Sequence, residues 1–396
     1  MGIAGKVADT IINNQSRHML IEASLCTRFR SSKSDCALCA DSCPVGAIDI
    51  GENGAEIKGG CINCGACFSV CPNGAFTIKD RDDKTIIREI SSRSGTNLHG
   101  TKVFSISCNK GDASSDLTVS CLGRLTEVLL LWPIRAGAQA VEIAQPACKD
   151  CPSAKAVSHL SELIRRTLYL YDMLGIKRDR IYIKEIPRRG PTKSSEKSVS
   201  RREFLGAIRK NAAGAAAAAI PDFENKEDEK GEDFKDVIHK RHENPKRALL
   251  LESLKDFSLE AGTLNTVYAD SKDSISAEVE VTAECTACGV CAAVCPTGAI
   301  IQIRTEDRFS LNFRPDLCTN CKVCAAACMH KAVSIKGSAL LNLLLQQKEM
   351  RLFEGKKKAC SVCRMDFIDK GPGSDICPLC IDRHRRQMAA IQNLIK

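Results

Sequence analysis

A chain of 396 residues is too long for one small domain and fits two to four. Cysteine is the outlier in composition: 24 residues, about 6% of the chain, against 4% aromatic residues and the single tryptophan Trp132, which excludes a large aromatic core. Hydrophobic content of 44% excludes wholesale disorder, and the net charge of +9 is not a nucleic-acid signature, because few aromatic side chains are present to stack bases.

In chain order, residues 1–30 have no continuous apolar segment before a small-residue cleavage site, so no secretory signal is read there and a cytoplasmic location is expected. The longest apolar runs, 128–134 and 212–220, fall far short of the roughly 18 residues a membrane span needs. Cysteines begin at Cys26 and then gather into runs. Cys36, Cys39 and Cys43-Pro44 lack a first member, with Lys33 in its place, and Cys61, Cys64, Cys67 and Cys71-Pro72 read C-x2-C-x2-C-x3-C. The full spacing returns twice, as Cys285, Cys288, Cys291 and Cys295-Pro296, then as Cys318, Cys321, Cys324 and Cys328. Disulfide frameworks belong to short secreted domains, and most of these cysteines stand in C-x-x-C steps, so metal ligation is the better reading. Two-residue steps let one tight loop present three thiolates around a cube face, and the following proline stops the helix. Each run precedes a segment expected as a short strand wrapping a cluster: 46–50, 74–78, 298–301 and 331–335.

Residues 26–80 and 280–337 thereby resemble bacterial two-cluster ferredoxins, in which the fourth cysteine of each run serves the other run's cluster. The resemblance implies four [4Fe-4S] clusters: Cys26, Cys36, Cys39 with Cys71; Cys61, Cys64, Cys67 with Cys43; Cys285, Cys288, Cys291 with Cys328; and Cys318, Cys321, Cys324 with Cys295. Cys26, reached by a longer loop, replaces the missing first member; without it that cluster would be a three-iron or labile site. The family implies low-potential one-electron transfer.

Between these modules Cys108, Cys121, Cys148 and Cys151-Pro152 are spaced too widely for the same pattern. A strand is expected over 103–107, a helix over 122–131, a strand over 139–143 and a helix over 153–174, which makes a β-α-β-α unit. Strand ends and a helix N-terminus meet at one edge of such a unit, so the four thiolates are expected to converge there as anions. Residues 103–184 resemble the small iron-sulfur (delta) subunit of methyl-viologen-reducing hydrogenases. The match rests on Cys108-Asn109, Cys121-Leu122-Gly123-Arg124, Ala136-Gly137-Ala138, the Cys148/Cys151 pair and Gly175-Ile176. That resemblance implies a [2Fe-2S] cluster that passes electrons to a heterodisulfide-reductase-like flavoprotein; the partners expected for the chain are other redox subunits, flavoprotein, hydrogenase or formate-dehydrogenase-like. Gly111 stands where the family tends to have a second early cysteine, which leaves [2Fe-2S] and [4Fe-4S] both open.

Residues 187–202 and 221–247 read as solvated, charged linkers. Ser200 to Leu205 looks like a twin-arginine export signal, but its position inside the chain favours a short alanine-rich helix over 212–219, able to lie against a partner or a lipid surface without spanning it. His239 and His242 fall in the charged stretch and read as solvated side chains. Further on, 340–353 and 383–395 are expected as helices flanking Cys360, Cys363, Cys377 and Cys380. These four thiolates suit structural zinc and also resemble the rubredoxin-type knuckles of rubrerythrins, which hold one iron; Arg364 and Ile381 stand where those knuckles have glycine, which favours zinc. Six four-thiolate sites, each near −2 with its metal, bring the net charge to about −3, so the basic surplus is largely internal compensation.

The expected fold is α+β and multidomain: a dicluster module at 1–90, a small α/β module at 100–186, a linker at 187–247, a second dicluster module at 248–337 and a helix-plus-knuckle zinc-ribbon-like module at 338–396. No G-x-G-x-x-G or Walker A sequence is present, so no nicotinamide, flavin or ATP site is read within the chain. The function expected is that of an electron-carrying subunit of an anaerobic oxidoreductase complex. The alternatives are a reductase acting at the middle cluster and a redox-sensing interaction protein.

Overall fold

The computed structural model describes residues 18–94, 103–111, 114–189, 243–261, 273–336, 341–369 and 375–394. The twin-arginine sequence at 200–205, the alanine-rich stretch at 212–219, His239, His242 and Gly371 to Gly373 lie outside these residues. Among the described residues no helix is long and apolar enough to cross a membrane.

The first cysteine runs sit in a module whose outer strands, β1 (Met19–Ile21) and β4 (Phe76–Ile78), pair antiparallel, while β2 (Ile48–Gly51) and β3 (Gly54–Ile57) form an inner hairpin. Helix α1 (Thr27–Arg30) starts directly after Cys26, α2 (Leu38–Ser42) carries Cys39, α3 (Ala66–Val70) carries Cys67, and α4 (Asp83–Ser94) follows. The core is correspondingly small and cysteine-rich, with Leu25, Phe68 and Phe76 its largest buried apolar members.

The middle segment is a four-stranded parallel sheet in the order β6-β5-β7-β8, with β5 at Val103–Cys108, β6 at Leu117–Val119, β7 at Ala140–Pro146 and β8 at Ile181–Ile186. Parallel neighbours need crossovers, supplied by α5 (Glu127–Arg135) and α6 (Leu160–Met173). Helix α5 starts later than the expected 122: Leu122–Arg124 is a single 3-10 turn, and Thr126 is extended (φ −128°, ψ 163°) before the helix proper. The expected helix at 153–174 is likewise divided into a 3-10 turn at Ala154–Val157 and α6.

Helix α5 is apolar nearly all round, the mark of a central helix. Val128, Leu129, Leu130, Leu131 and Ile134 are buried against the sheet, against Ile86, Ile87 and Ile90 of α4, and against Leu250, Leu254 and Phe257 of α7 (Pro245–Ala261). Helix α7, which begins inside the stretch read as a charged linker, therefore completes the middle core. Its start follows local rules: Asn244 caps it by accepting from Arg247 N at 3.0 Å, and Pro245 occupies the first helical position, where a missing N–H is harmless.

The second dicluster module repeats the first. Strand β9 (Glu278–Val281) pairs with β12 (Val333–Lys336), and β10 (Ile300–Arg304) forms a hairpin with β11 (Arg308–Phe313), around α8 (Val290–Ala293) and α9 (Val323–Ala327). The expected helix at 340–353 proves shorter. Helix α10 covers Leu341–Gln346, Gln347 turns left-handed (φ 52°), and β13 (Met350–Ala359) pairs with β11 on one side and β14 (Asp366–Ile368) on the other. From residue 350 the side chains alternate between the two sheet faces, which a strand satisfies and a helix does not. Cys360 thus follows an extension of the second module's hairpin, while Cys377 directly precedes and Cys380 lies in the first turn of α11 (Pro378–Leu394).

One contact between modules carries a pH dependence. His159, 8% exposed, places Nε2 3.1 Å from Ser69 Oγ of α3, which donates to Leu125 O at 2.5 Å. Burial, then the field of Arg166, lowers its pKa from 6.5 to about 4. A depressed histidine stabilises the fold above the unfolded value and loses that contribution as protons bind, so the loss is expected as pH falls from 6.5 through about 4 and amounts to about 3 kcal/mol. Denaturant titrations at several pH values should show this slope in the parent chain and a flattened one in His159→Gln.

Candidate metal centres

The local chain geometry that presents the thiols is repeated. In three of the four runs the residues on either side of the second cysteine are left-handed: Asn63 and Gly65 (φ 54° and 78°), Ala287 and Gly289 (58° and 78°), Asn320 and Lys322 (55° and 62°). Such alternation turns successive peptide N–H groups inward and makes a concavity suited to an anionic group. All four runs then place a left-handed residue three positions after their last cysteine, namely Gly46, Gly74, Gly298 and Lys331 (φ 62°, 70°, 70° and 51°). The next N–H donates to that cysteine's Sγ: Ala47 to Cys43 at 3.2 Å, Ala75 to Cys71 at 3.4 Å and Ala332 to Cys328 at 3.3 Å.

Lys322 and Lys331 occupy positions that glycine fills in the sister runs, and a left-handed L-residue costs on the order of 1 kcal/mol. Lys322→Gly and Lys331→Gly are each expected to raise stability by up to about 0.5 kcal/mol, after the larger entropy of an unfolded glycine. A higher denaturation midpoint with full iron content is the readout; a lower one contradicts the strain.

The buried thiols act on one another across the runs. Cys39 is pushed up to about 12 by burial and then by Cys71, Cys26 and Cys36. Cys67 is raised by burial, Cys64 and Cys61, while Cys64 is raised by burial with Cys43 and Cys61 adding. In the second module Cys291 is pushed up to about 12 by burial, Cys285, Cys288 and Cys328, and Cys324 is raised by burial, Cys321, Cys295 and Cys318. The last cysteine of each run thus acts on a cysteine of the other run, Cys71 on Cys39, Cys43 on Cys64, Cys328 on Cys291 and Cys295 on Cys324, and Cys26 acts on Cys39. Thiols crowded in this way resist ionisation together unless a positive metal core neutralises them.

The widely spaced cysteines also meet. Cys108, Cys121, Cys148 and Cys151 line one small cavity at the end of the parallel sheet. Cys108 ends β5, Cys121 precedes the 3-10 turn and accepts from Gly123 N at 3.4 Å, and Cys148 and Cys151 follow β7. Gly123 is required by proximity, since a Cβ there would stand 2.1 Å from Ala156 O. Burial pushes Cys121 up to about 12, with Cys64, Cys108 and Cys151 adding, and Cys148 is raised by burial, Cys108 and Cys151 while Arg188 opposes.

At the C-terminus Cys360, Cys363, Cys377 and Cys380 lie within 4.8 Å of one another, and Cys363 Sγ is 3.7 Å from Cys377 Sγ. Metal–sulfur bonds of about 2.3 Å in a tetrahedron require sulfurs about 3.8 Å apart, so this set fits a single four-coordinate ion. The Cys377 N–H, donating to Cys360 Sγ at 3.2 Å, holds the Cys360 thiol down to about 6.

Adjacent groups approach one another. Cys64 is close enough to act on Cys121, Cys39 on Cys67, and Cys291 on Cys324. The dicluster modules touch where Thr319 donates to Asn73 Oδ1 at 2.5 Å, beside a cavity of about 560 Å³ whose lining includes Cys36 and Cys321. Charged side chains at this junction, Lys246 and Arg247 of α7, escaped the sequence reading; the Asn244-Pro245 helix start was the available signal.

Two family models, each described as a 4Fe-4S dicluster domain, match residues 34–93 and 284–332. The chain thus contains two 4Fe-4S dicluster domains and, separately, a C-terminal four-cysteine cluster. The first match begins after Cys26, whose placement rests on the geometry above. No curated protein and no solved structure matches the chain.

Proposed function

We propose that this chain is an electron-relay subunit of an anaerobic oxidoreductase complex. It would hold four [4Fe-4S] clusters, one further iron-sulfur cluster on Cys108, Cys121, Cys148 and Cys151, and zinc on Cys360, Cys363, Cys377 and Cys380. The donor sets fit: four thiols to a group, backbone N–H groups aimed at sulfur, and apolar side chains around them. When bound, an iron-sulfur cluster takes up and gives back single electrons.

The observation that carries the reading is continuity. From the middle cavity the groups run through Cys121 and Cys64, then Cys67 and Cys39, then across the Asn73–Thr319 contact to the Cys318 group, and through Cys324 and Cys291 to the last. Buried Phe68, Phe76, Phe309 and Phe313 pack beside the ferredoxin cysteines, and the peptide N–H donors stabilise charge on sulfur. Both ends of the series reach the surface, with Cys288 exposed and Cys148 and Cys151 part-exposed near Arg188, and Cys61 within the series is exposed as well. Those ends are where redox partners would dock, and the hydrogenase-delta resemblance supports a flavoprotein or hydrogenase-like subunit at the Cys148 end.

Stepwise reduction of the anaerobically isolated chain, followed by visible absorption and electron paramagnetic resonance, tests the proposal. One electron for each of the five groups is expected, with magnetic interaction between spins within each dicluster module. A chain with its full iron content that accepts no electrons from a low-potential donor overturns the relay.

A further inference from the structure

Two consecutive cations, Lys246 and Arg247, stand where the dicluster modules meet and reach in opposite directions. Lys246 Nζ donates to Phe68 O at 3.1 Å, Ser69 O at 2.7 Å and Cys71 O at 2.7 Å, at the end of helix α3. Three carbonyl acceptors match the three N–H bonds of the ammonium form, which offsets the burial that lowers the Lys246 pKa. The same nitrogen lies 5.7 Å from the centre of the Phe68 ring. Arg247, 6% exposed, donates to Asp316 O at 2.8 Å, Ile275 O at 2.9 Å and Pro315 O at 3.4 Å, just before Cys318.

The acids nearby are hydrogen-bonded to other cations, although the fields of Glu127 and Asp83 reach Lys246 and that of Asp316 reaches Arg247. Glu127 accepts from Arg166 at 2.7 Å, Asp83 from Arg124 at 2.8 Å, and Asp316 from Arg314 at 2.6 Å and 2.8 Å. Among the described residues no carboxylate forms an ion pair with Lys246 or Arg247, although each is held among carbonyl dipoles. Both charges are set beside ligand-bearing turns: Lys246 Nζ is 2.7 Å from the carbonyl oxygen of Cys71, and Arg247 is held on the carbonyls of Pro315 and Asp316, just before Cys318.

We propose that Lys246 and Arg247 are potential-setting residues. Lys246 acts on the cluster of Cys26, Cys36, Cys39 and Cys71, and Arg247 acts on that of Cys295, Cys318, Cys321 and Cys324. The inference rests on the iron-sulfur reading above. Reduction adds a negative charge, and a fixed positive charge in a weakly screening environment favours the reduced form, so each cation raises the potential of its own group. Because both are at one helix start, pinned by Asn244 Nδ2 donating to Pro72 O at 3.0 Å, α7 tunes the two stations that face each other across the junction. Arg304 is a natural control: it donates to Ala287 O at 2.9 Å and Cys288 O at 3.4 Å from an exposed position, where water screens its charge.

The experiment is a potentiometric titration of the full chain, isolated anaerobically and monitored by electron paramagnetic resonance, after iron and sulfide have been counted. Lys246→Met is expected to move one midpoint to a more negative value and leave the others in place, Arg247→Gln to move a different one, and Lys246→Arg to restore the first. Arg304→Gln should produce a smaller shift than either. Unchanged midpoints in Lys246→Met and Arg247→Gln at full iron content overturn the proposal. If one neutral variant loses iron, the other still decides for its own group; if both lose it, the residues are structural pegs and the proposal is withdrawn. A parent chain without clusters instead defeats the electron-relay reading itself, a distinguishable failure.

Discussion

Replacing Cys71 by alanine is expected to remove about four irons per chain and to abolish the cluster of the other run, leaving the cluster of Cys61, Cys64 and Cys67 in place. The reason is spatial. Cys71 follows α3, which carries Cys67, yet its sulfur acts on Cys39 beside Cys26 and Cys36, while Cys43 acts on Cys64. Sequence adjacency predicts the opposite result, so the variant separates the two. Double replacements complete the assignment: Cys36→Ala added to Cys71→Ala should cost no further iron, whereas Cys61→Ala added to Cys71→Ala should remove about four more. Additive loss in the first pair would contradict the crossed grouping.

Asp83→Ala is expected to cost about 3–5 kcal/mol. Asp83 and Arg124, each about 4–5% exposed at the side chain, are paired at 2.8 Å, and Thr126 Oγ1 donates to the second carboxylate oxygen. Arg124 also covers the Phe68 ring at 5.9 Å and packs on Gly65, where a Cβ would stand 2.5 Å from Arg124 Cβ. Truncating the acid leaves a buried guanidinium without its counter-charge at the contact between the first module and the middle sheet. Arg124→Met in the same chain should recover a large part of the loss, because removing both charges is far cheaper than removing one. Denaturant unfolding checks this; a single-variant loss below about 1 kcal/mol contradicts the buried-pair account.

These contacts explain how much could be read from the chain beforehand. The cysteine runs were legible because ligand spacing is a local property, and the wrapping strands at 46–50, 74–78, 298–301 and 331–335 were legible because each follows its run directly. Strands β1 and β9 were missed. With three and four residues they carry no periodic signal, and they form only because β4 and β12 offer an edge across the module. Cys108, Cys121, Cys148 and Cys151 could be gathered only through topology: a parallel sheet brings its C-terminal strand ends to one side, whatever the separation in sequence. Helix α7 was hidden by its charged approach. Its apolar residues Leu250, Leu254 and Phe257 complete a core begun more than a hundred residues earlier, and Lys246 and Arg247 look like linker charges until the two modules are seen on either side of them.

The most direct measurement of the account is the iron and acid-labile sulfide content of the full chain prepared without oxygen. At least about sixteen atoms of each per chain are expected, with one further metal ion that is released when Cys360 or Cys377 is replaced. Iron without sulfide, or both far below that level in protein that is otherwise folded, would contradict it.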